Sequence, residues 1–236
     1  MYEIIEGFIE AIRLIVTLDP DVMAIAVRSI IISLTATIIA SLIALPLGAA
    51  INFGKFRGRR SIINLIQTLY SLPTVIVGLL IFLLISRAGP LGFLRLLFTP
   101  TAMIIAQTVL IIPIMTGLTI SALSGVDPVI RDTLTSLGAT RFQFLINIMK
   151  EARFAILAAV AVGFGRAISE VGAAILVGGN IAASSFKSST RVLTTAISLE
   201  TSMGNIPQSI ALGIVLLTIA LGVNLVISTL QQGRNP

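Results

Sequence analysis

Arg166 and Glu170 are the charges with the most chemical consequence, because they stand four residues apart inside the apolar run from Phe154 to Val177. On a continuous helix that spacing puts both on one face, within reach of an ion pair. Ionised groups are costly inside a bilayer and point to a substrate path or to a structural lock. Both readings stay open. Glu170 can clamp Arg166 beside a pathway, or Arg166 can touch an anion that Glu170 would repel. Ser169 lies between the two charges, Gly172 follows them, and Asn180 comes after Gly178-Gly179, where the run ends. Arg166, Ser169, Glu170, Gly172 and Asn180 are therefore the pathway candidates. Thr190, Thr194 and Thr195 either offer hydroxyls to a passing anion or cap short helices.

Other chemistries find little support. The chain has no cysteine and no histidine, so thiolate and imidazole chemistry are absent. Gly48 to Lys55 imitates a phosphate-binding loop, but five residues separate Gly48 from Gly54 and Phe56 stands where Ser or Thr is required. ATP hydrolysis is not encoded. A net charge of +6 without a clustered basic face or reading aromatics gives no nucleic-acid binder.

The elements that must position these residues are membrane spans. Of 236 residues, 56% are hydrophobic and only 11% charged, and the mean hydropathy is +1.06. Soluble chains carry about 25% charged residues. Residues 1–21 read as an N-terminal amphipathic interfacial helix, with Glu3, Glu6, Glu10 and Arg13 interrupting its apolar positions. A short sixth span is the alternative. Residues 22–236 form one transmembrane domain. Its spans are Val22 to Phe53, Ile62 to Ser86, Thr101 to Leu123, Phe154 to Val177 and Gln208 to Gln231, an all-α membrane protein with a five-helix core. Arg28 is expected to snorkel at an outer end, Pro46 and Gly48 to kink or end the first span, and Pro73 to break the second. Ala161, Gly165, Ser169 and Ala173 form a small-residue ladder for close helix approach. A short helix is expected from Arg191 to Glu200. Lys55, Arg57, Arg59 and Arg60 make the loop after the first span cytoplasmic by the positive-inside tendency. That puts the N-terminus outside and leaves Arg234 inside, while Arg87 to Thr99 becomes an outer loop with a partly re-entrant apolar piece.

Residues 124–153 form a polar island between two spans, patterned as a helix-turn-helix. Asp127 can N-cap, Pro128 fits the first helical position, and Gly138 permits a turn. Ala139 to Lys150 can start a second helix, with Phe142, Leu145, Ile146 and Met149 at helical spacing. This stretch resembles the cytoplasmic coupling loop of ABC-importer permeases, whose signature is E-A-A, three residues, G, nine residues, I-x-L-P. Asp132-Thr133-Leu134 stands at the E-A-A positions, and Gly138 and Ile148 match, while Lys150-Glu151 replaces Leu-Pro. Gly165-Arg166-Ala167-Ile168-Ser169-Glu170-Val171-Gly172-Ala173 and Val177-Gly178-Gly179-Asn180 resemble the permeases of molybdate and tungstate importers. Arg191 to Ile197 brings the tungstate subgroup nearest.

The resemblance implies a five-span permease fold, a homodimer, two separate ATPase subunits and an extracytoplasmic oxyanion-binding protein. It implies no cofactor in this chain, with ATP and Mg2+ in the partner ATPase. Asp127, Arg131, Asp132, Thr133, Leu134, Gly138, Ala139, Thr140 and Arg141 become the ATPase-coupling residues, and an outer gate is implied near Asn180. An ion channel or secondary carrier is the alternative, favoured by the Pro-broken spans but not in need of the signature. A membrane-embedded enzyme around Arg166, Ser169 and Glu170 lacks a second acid.

Overall fold

The computed structural model describes residues 2–183 and 189–232, which are helical with no strand among them. Arg234 therefore lies outside the described residues. In order the elements are α1 (Tyr2–Val16), α2 (Pro20–Phe53), α3 (Arg59–Leu69), α4 (Thr74–Ile85), a 3-10 turn (Gly92–Leu94), α5 (Pro100–Ser124), α6 (Pro128–Ser136), α7 (Arg141–Glu151), α8 (Arg153–Ile168), α9 (Gly172–Gly178), α10 (Leu193–Ser202) and α11 (Ile206–Gln232). α2, α5 and α11 are each long and apolar enough to cross a bilayer. Counting the bent pairs α3–α4 and α8–α9 as single spans gives five.

The centre is the α2–α5 pair. Ala36, Ala40 and Ala44 of α2 are fully buried and continue to Gly48, one small residue per turn. A Cβ on Gly48 would meet Thr119 at 2.8 Å and the Thr116 carbonyl at 2.9 Å. About three turns before these contacts on both helices, Thr108 of α5 donates to the Ala36 carbonyl of α2, so the two helices run parallel. Without a hydrophobic drive between helices in lipid, such backbone proximity supplies the dispersion contacts that hold them. Pro46 does not end α2, which continues to Phe53. A close-packed ladder thus runs along the first span, while of the ladder expected on the fourth Ala173 is buried and Gly165 is exposed. The expected stripe Ala161–Ala173 is interrupted by the end of α8, and Gly165 faces open space. Gly163 makes the tight contact instead, 2.7 Å from the Met115 sulfur to a Cβ built there.

Two spans are broken. α3 and α4 meet at 96°, so Ile62 to Ser86 is not one straight crossing. Pro73 lacks an N–H and excludes the residue before it from helical geometry. α8 and α9 meet at 58° without any proline. The breaks sit side by side: a Cβ on Gly172 would touch Val75 at 2.9 Å, and one on Gly78 would lie 2.7 Å from the Ala173 Cα.

Arg28 does not snorkel. It is 6% exposed and donates from Nη1 to the Arg191 carbonyl at 3.0 Å. Beside it the Ser29 hydroxyl accepts the Leu193 N–H at 2.8 Å, so α2 receives the first turn of α10. That helix begins two residues later than the sequence indicated. α1 lays Gly7, Ala11 and Leu14 towards α11 and leaves Phe8, Ile9 and Ile12 exposed. Its 15 residues extend about 22 Å, short of the ~30 Å hydrocarbon core.

Candidate functional site

Two sites emerge, one at the end of α5 and one at the α8–α9 break. At the first, the Asp127 carboxylate accepts the Val129 N–H at 2.8 Å and starts α6. The reversal comes at Gly138, whose φ of +72° is in the left-handed region. Ala139 N–H closes on the Leu134 carbonyl at 3.1 Å, satisfying an orphan acceptor of α6. Thr140 then caps α7 reciprocally with Gln143, its N–H donating to Oε1 at 2.9 Å and its Oγ1 accepting the Gln143 N–H at 3.3 Å.

The hairpin is fastened to the spans by a buried cluster of Leu123, Val126, Ile148 and Ala152, with Ile130, Leu134 and Phe144 packed on it. Phe144 also meets Phe53 of α2 edge to face, ring centres 6.1 Å apart. Arg131 folds inward, its Nε donating to the Val126 carbonyl at 3.3 Å and its Nη2 to the Leu123 carbonyl. It secures α6 to the end of α5 and is half-buried. Of the expected coupling residues, Arg131, Leu134 and Ala139 thus face the protein to some degree, while Asp127, Asp132, Thr133, Gly138, Thr140 and Arg141 are exposed.

The buried face of α7 differs from the expected stripe. Phe144 and Ile148 point inward, with Leu145 and Ile146 half-buried, whereas Phe142 is 71% exposed and Met149 is at the surface. Phe142 flanks the turn together with Leu137, which is 77% exposed. Two large apolar side chains left open at the tip of a well-capped hairpin make it the candidate contact surface. Leu137 had a signal in the sequence, an apolar residue directly before the turn glycine.

At the second site the Arg166 Nη1 lies 2.9 Å from the Glu170 Oε2, so the pair forms. It forms across a break rather than along a helix face, since α8 ends at Ile168 and Glu170 stands between α8 and α9. The other carboxylate oxygen, Oε1, accepts the Ala173 N–H at 3.0 Å and caps α9. The Glu170 carbonyl accepts the Thr194 hydroxyl at 2.9 Å, tying the break to α10. Glu170 is buried, while the Arg166 side chain is 35% exposed. The Glu170 carboxylate thus neutralises a guanidinium and starts a half-helix, while its backbone carbonyl holds a third element. That explains how a span breaks without a proline.

Gly172 joins this cluster because its missing Cβ admits Thr74 and Val75 of α4. Ser169 is exposed, its hydroxyl returned to the Arg166 carbonyl at 3.2 Å. Asn180 is beyond the far end of α9. Its φ is +50°, and its amide donates to the Thr195 carbonyl at 3.2 Å. The threonines are engaged with backbone. Thr190 donates to the Gly178 carbonyl at 2.5 Å, and Thr195 accepts the Val192 N–H at 3.0 Å. The sequence did not single out Thr74 or Gln107. Gln107 carries a buried Oε1 without a partner, and nothing but its polarity in an apolar helix marks it.

The family of binding-protein-dependent transport system inner membrane components matches residues 36–235. The chain is 45% identical to the tungstate uptake system permease protein TupB of Peptoclostridium acidaminophilum, over 98% of this chain and all of that protein. It is 36% identical to the TupB protein of Campylobacter jejuni, over 97% of this chain and 94% of the other. A solved amino acid ABC transporter shares the fold at a TM-score of 0.69 and 16% identity, over 92% of this chain and 96% of that one. The chain is a multi-pass membrane protein and a transport subunit rather than an enzyme, and it belongs to the family of binding-protein-dependent inner membrane permeases of ABC importers.

Proposed function

We propose that this chain is the membrane subunit of an ATP-driven oxyanion importer, with tungstate as its substrate and molybdate as the nearest competitor. Two copies form the pathway, two separate ATPase subunits bind ATP and Mg2+, and an extracytoplasmic oxyanion-binding protein delivers the cargo. The observation that carries this reading is the identity of 45% along the whole of a tungstate permease. The hairpin α6–α7, with Leu137 and Phe142 at its tip, docks on the ATPase. Its movement passes to α5 through Arg131 and to α2 through Phe144 against Phe53. The breaks beside Glu170 give the opposite half of the molecule hinges at which α4 and α9 can tilt.

In this reading the hairpin is cytoplasmic and the N-terminus outside. Support comes from the parallel α2 and α5, whose ends share one face: Ser124 donates to the Asn52 side chain at 2.7 Å, beside the loop bearing Lys55, Arg57 and Arg60. Arg166 and Glu170 act as a neutral lock at the pathway wall, and Asn180 braces the outer gate. α1 lies at the outer interface. Strong anion selection belongs to the binding protein, since the half-exposed Arg166 guanidinium is already paired. Uptake of tungstate by cells expressing the permease with its ATPase and binding protein tests this. Competition by excess molybdate and none by phosphate is expected, and uptake independent of the ATPase would overturn it.

A further inference from the structure

We propose that the concavity between the end of α4 and the start of α5 binds the phosphodiester headgroup of an anionic phospholipid. It lies on the face opposite the hairpin, because α5 runs from one to the other over its 25 residues. The loop from Ser86 to Thr99 folds back on its own helix, Leu91 N–H donating to the Leu84 carbonyl at 2.9 Å. It is pinned at its far end where Phe98 N–H reaches the Val177 carbonyl of α9, also at 2.9 Å. Between these ties is a cavity of ≈ 1130 Å3, lined by Arg87 and Arg95 together with Ile85, Phe93, Leu97 and Phe98.

Three features point to a lipid. The loop has two arginines and no acid, and among the described residues neither arginine is in an ion pair. Both guanidinium groups are exposed and available to an anion. Phe93 is 76% exposed and Leu94 46%, large apolar areas for a loop held in water. Leu80, Leu83 and Leu84 of α4, the helix on which the loop folds back, are exposed as well and offer acyl chains an apolar surface. A hydrated inorganic oxyanion has no use for the apolar walls, whereas an amphiphile matches both parts of the lining. The backbone is set for this shape: Arg95 and Phe98 adopt φ of 49° and 61°, which non-glycine residues rarely do.

Native mass spectrometry of the purified full chain in detergent tests the site, with phosphatidylglycerol and phosphatidylcholine added in equal amounts. Phosphatidylglycerol should be retained in preference. Arg87→Gln and Arg95→Gln should each weaken retention about five-fold, and the double variant about thirty-fold. The charge-conserving R87K/R95K pair should keep most of the retention and controls for a folding defect. Lys55→Gln with Arg57→Gln, on the other face, should leave it unchanged. Equal retention by wild type and R87Q/R95Q overturns the proposal, as does a loss confined to the Lys55 and Arg57 variant. Displacement of the lipid by millimolar sodium tungstate also overturns it, assigning the site to the free oxyanion.

Discussion

Glu170 is asymmetric with Arg166, and that asymmetry makes the pair testable. The carboxylate is buried and joins α8 to α9, while the guanidinium keeps a third of its side chain exposed. Arg166→Met strands a buried charge and should destabilise by ~3–5 kcal/mol, the range for breaking a buried pair from one side. Glu170→Gln leaves a guanidinium that water reaches, and its amide oxygen can still cap α9, so the loss should be the smaller of the two. The double change to Met and Gln should recover stability, giving a coupling of about 1–3 kcal/mol in a thermal-denaturation cycle. Additive losses would remove the lock. If the double variant is stable yet fails to take up tungstate, Arg166 touches the anion. The pairing was legible at this scale from the four-residue spacing. The cap on α9 was not, because the spacing assumed an unbroken helix.

At the scale of elements, the hairpin depends on one backbone angle. A Cβ on Gly138 would meet no atom, so its substitution tests conformation alone. The left-handed region costs a non-glycine residue about 1–2 kcal/mol, most for a β-branched one and least for Asn. Gly138→Val should lower ATPase copurification and uptake with membrane insertion intact, and Gly138→Asn should come close to wild type. Equal behaviour of the two would show that the turn geometry does not matter. Leu137→Ser with Phe142→Ser should leave the melting temperature unchanged and release the ATPase; retained association would discard the exposed tip as a contact. Packing of the spans gives a second contrast. Gly48→Val drives atoms into Thr119 and the Thr116 carbonyl and should cost about 1–3 kcal/mol as overpacking. Gly165→Ala points into open space and should be neutral, although Gly165 belongs to the small-residue ladder expected on the fourth span. Melting of both variants in one detergent decides between the ladders.

At the scale of the molecule, the native chain has no cysteine, so single substitutions report sidedness on a clean background. Arg57→Cys should resist an impermeant thiol reagent in intact cells, and Ser202→Cys should react. Both positions are exposed, and Ser202 ends α10, which starts against the opposite end of α2. The reverse pattern would invert the protein and end the importer reading. A reporter at Ser188, the position the loop reading favours, lies outside the described residues.

The sequence by itself determined the class, the number of spans and the hairpin. Those features are written in local terms: apolar runs of bilayer length and the order Asp-Pro, Gly, Thr along residues 127–140. It also placed Arg166 and Glu170 together, since spacing along one segment is a local property. Tertiary structure alone decided which small residues carry close packing, because Ala36 to Gly48 and Ala161 to Ala173 look alike until a neighbour is present. It turned Arg28 inward to the Arg191 carbonyl, a partner 163 residues away. It set Phe144 rather than Phe142 against the core through Phe53 of another helix. It also broke the fourth span at Glu170, where no proline warns of it. The reason is the same in each case: a helix pattern gives periodicity but not phase, and phase is fixed by contacts between segments far apart in sequence.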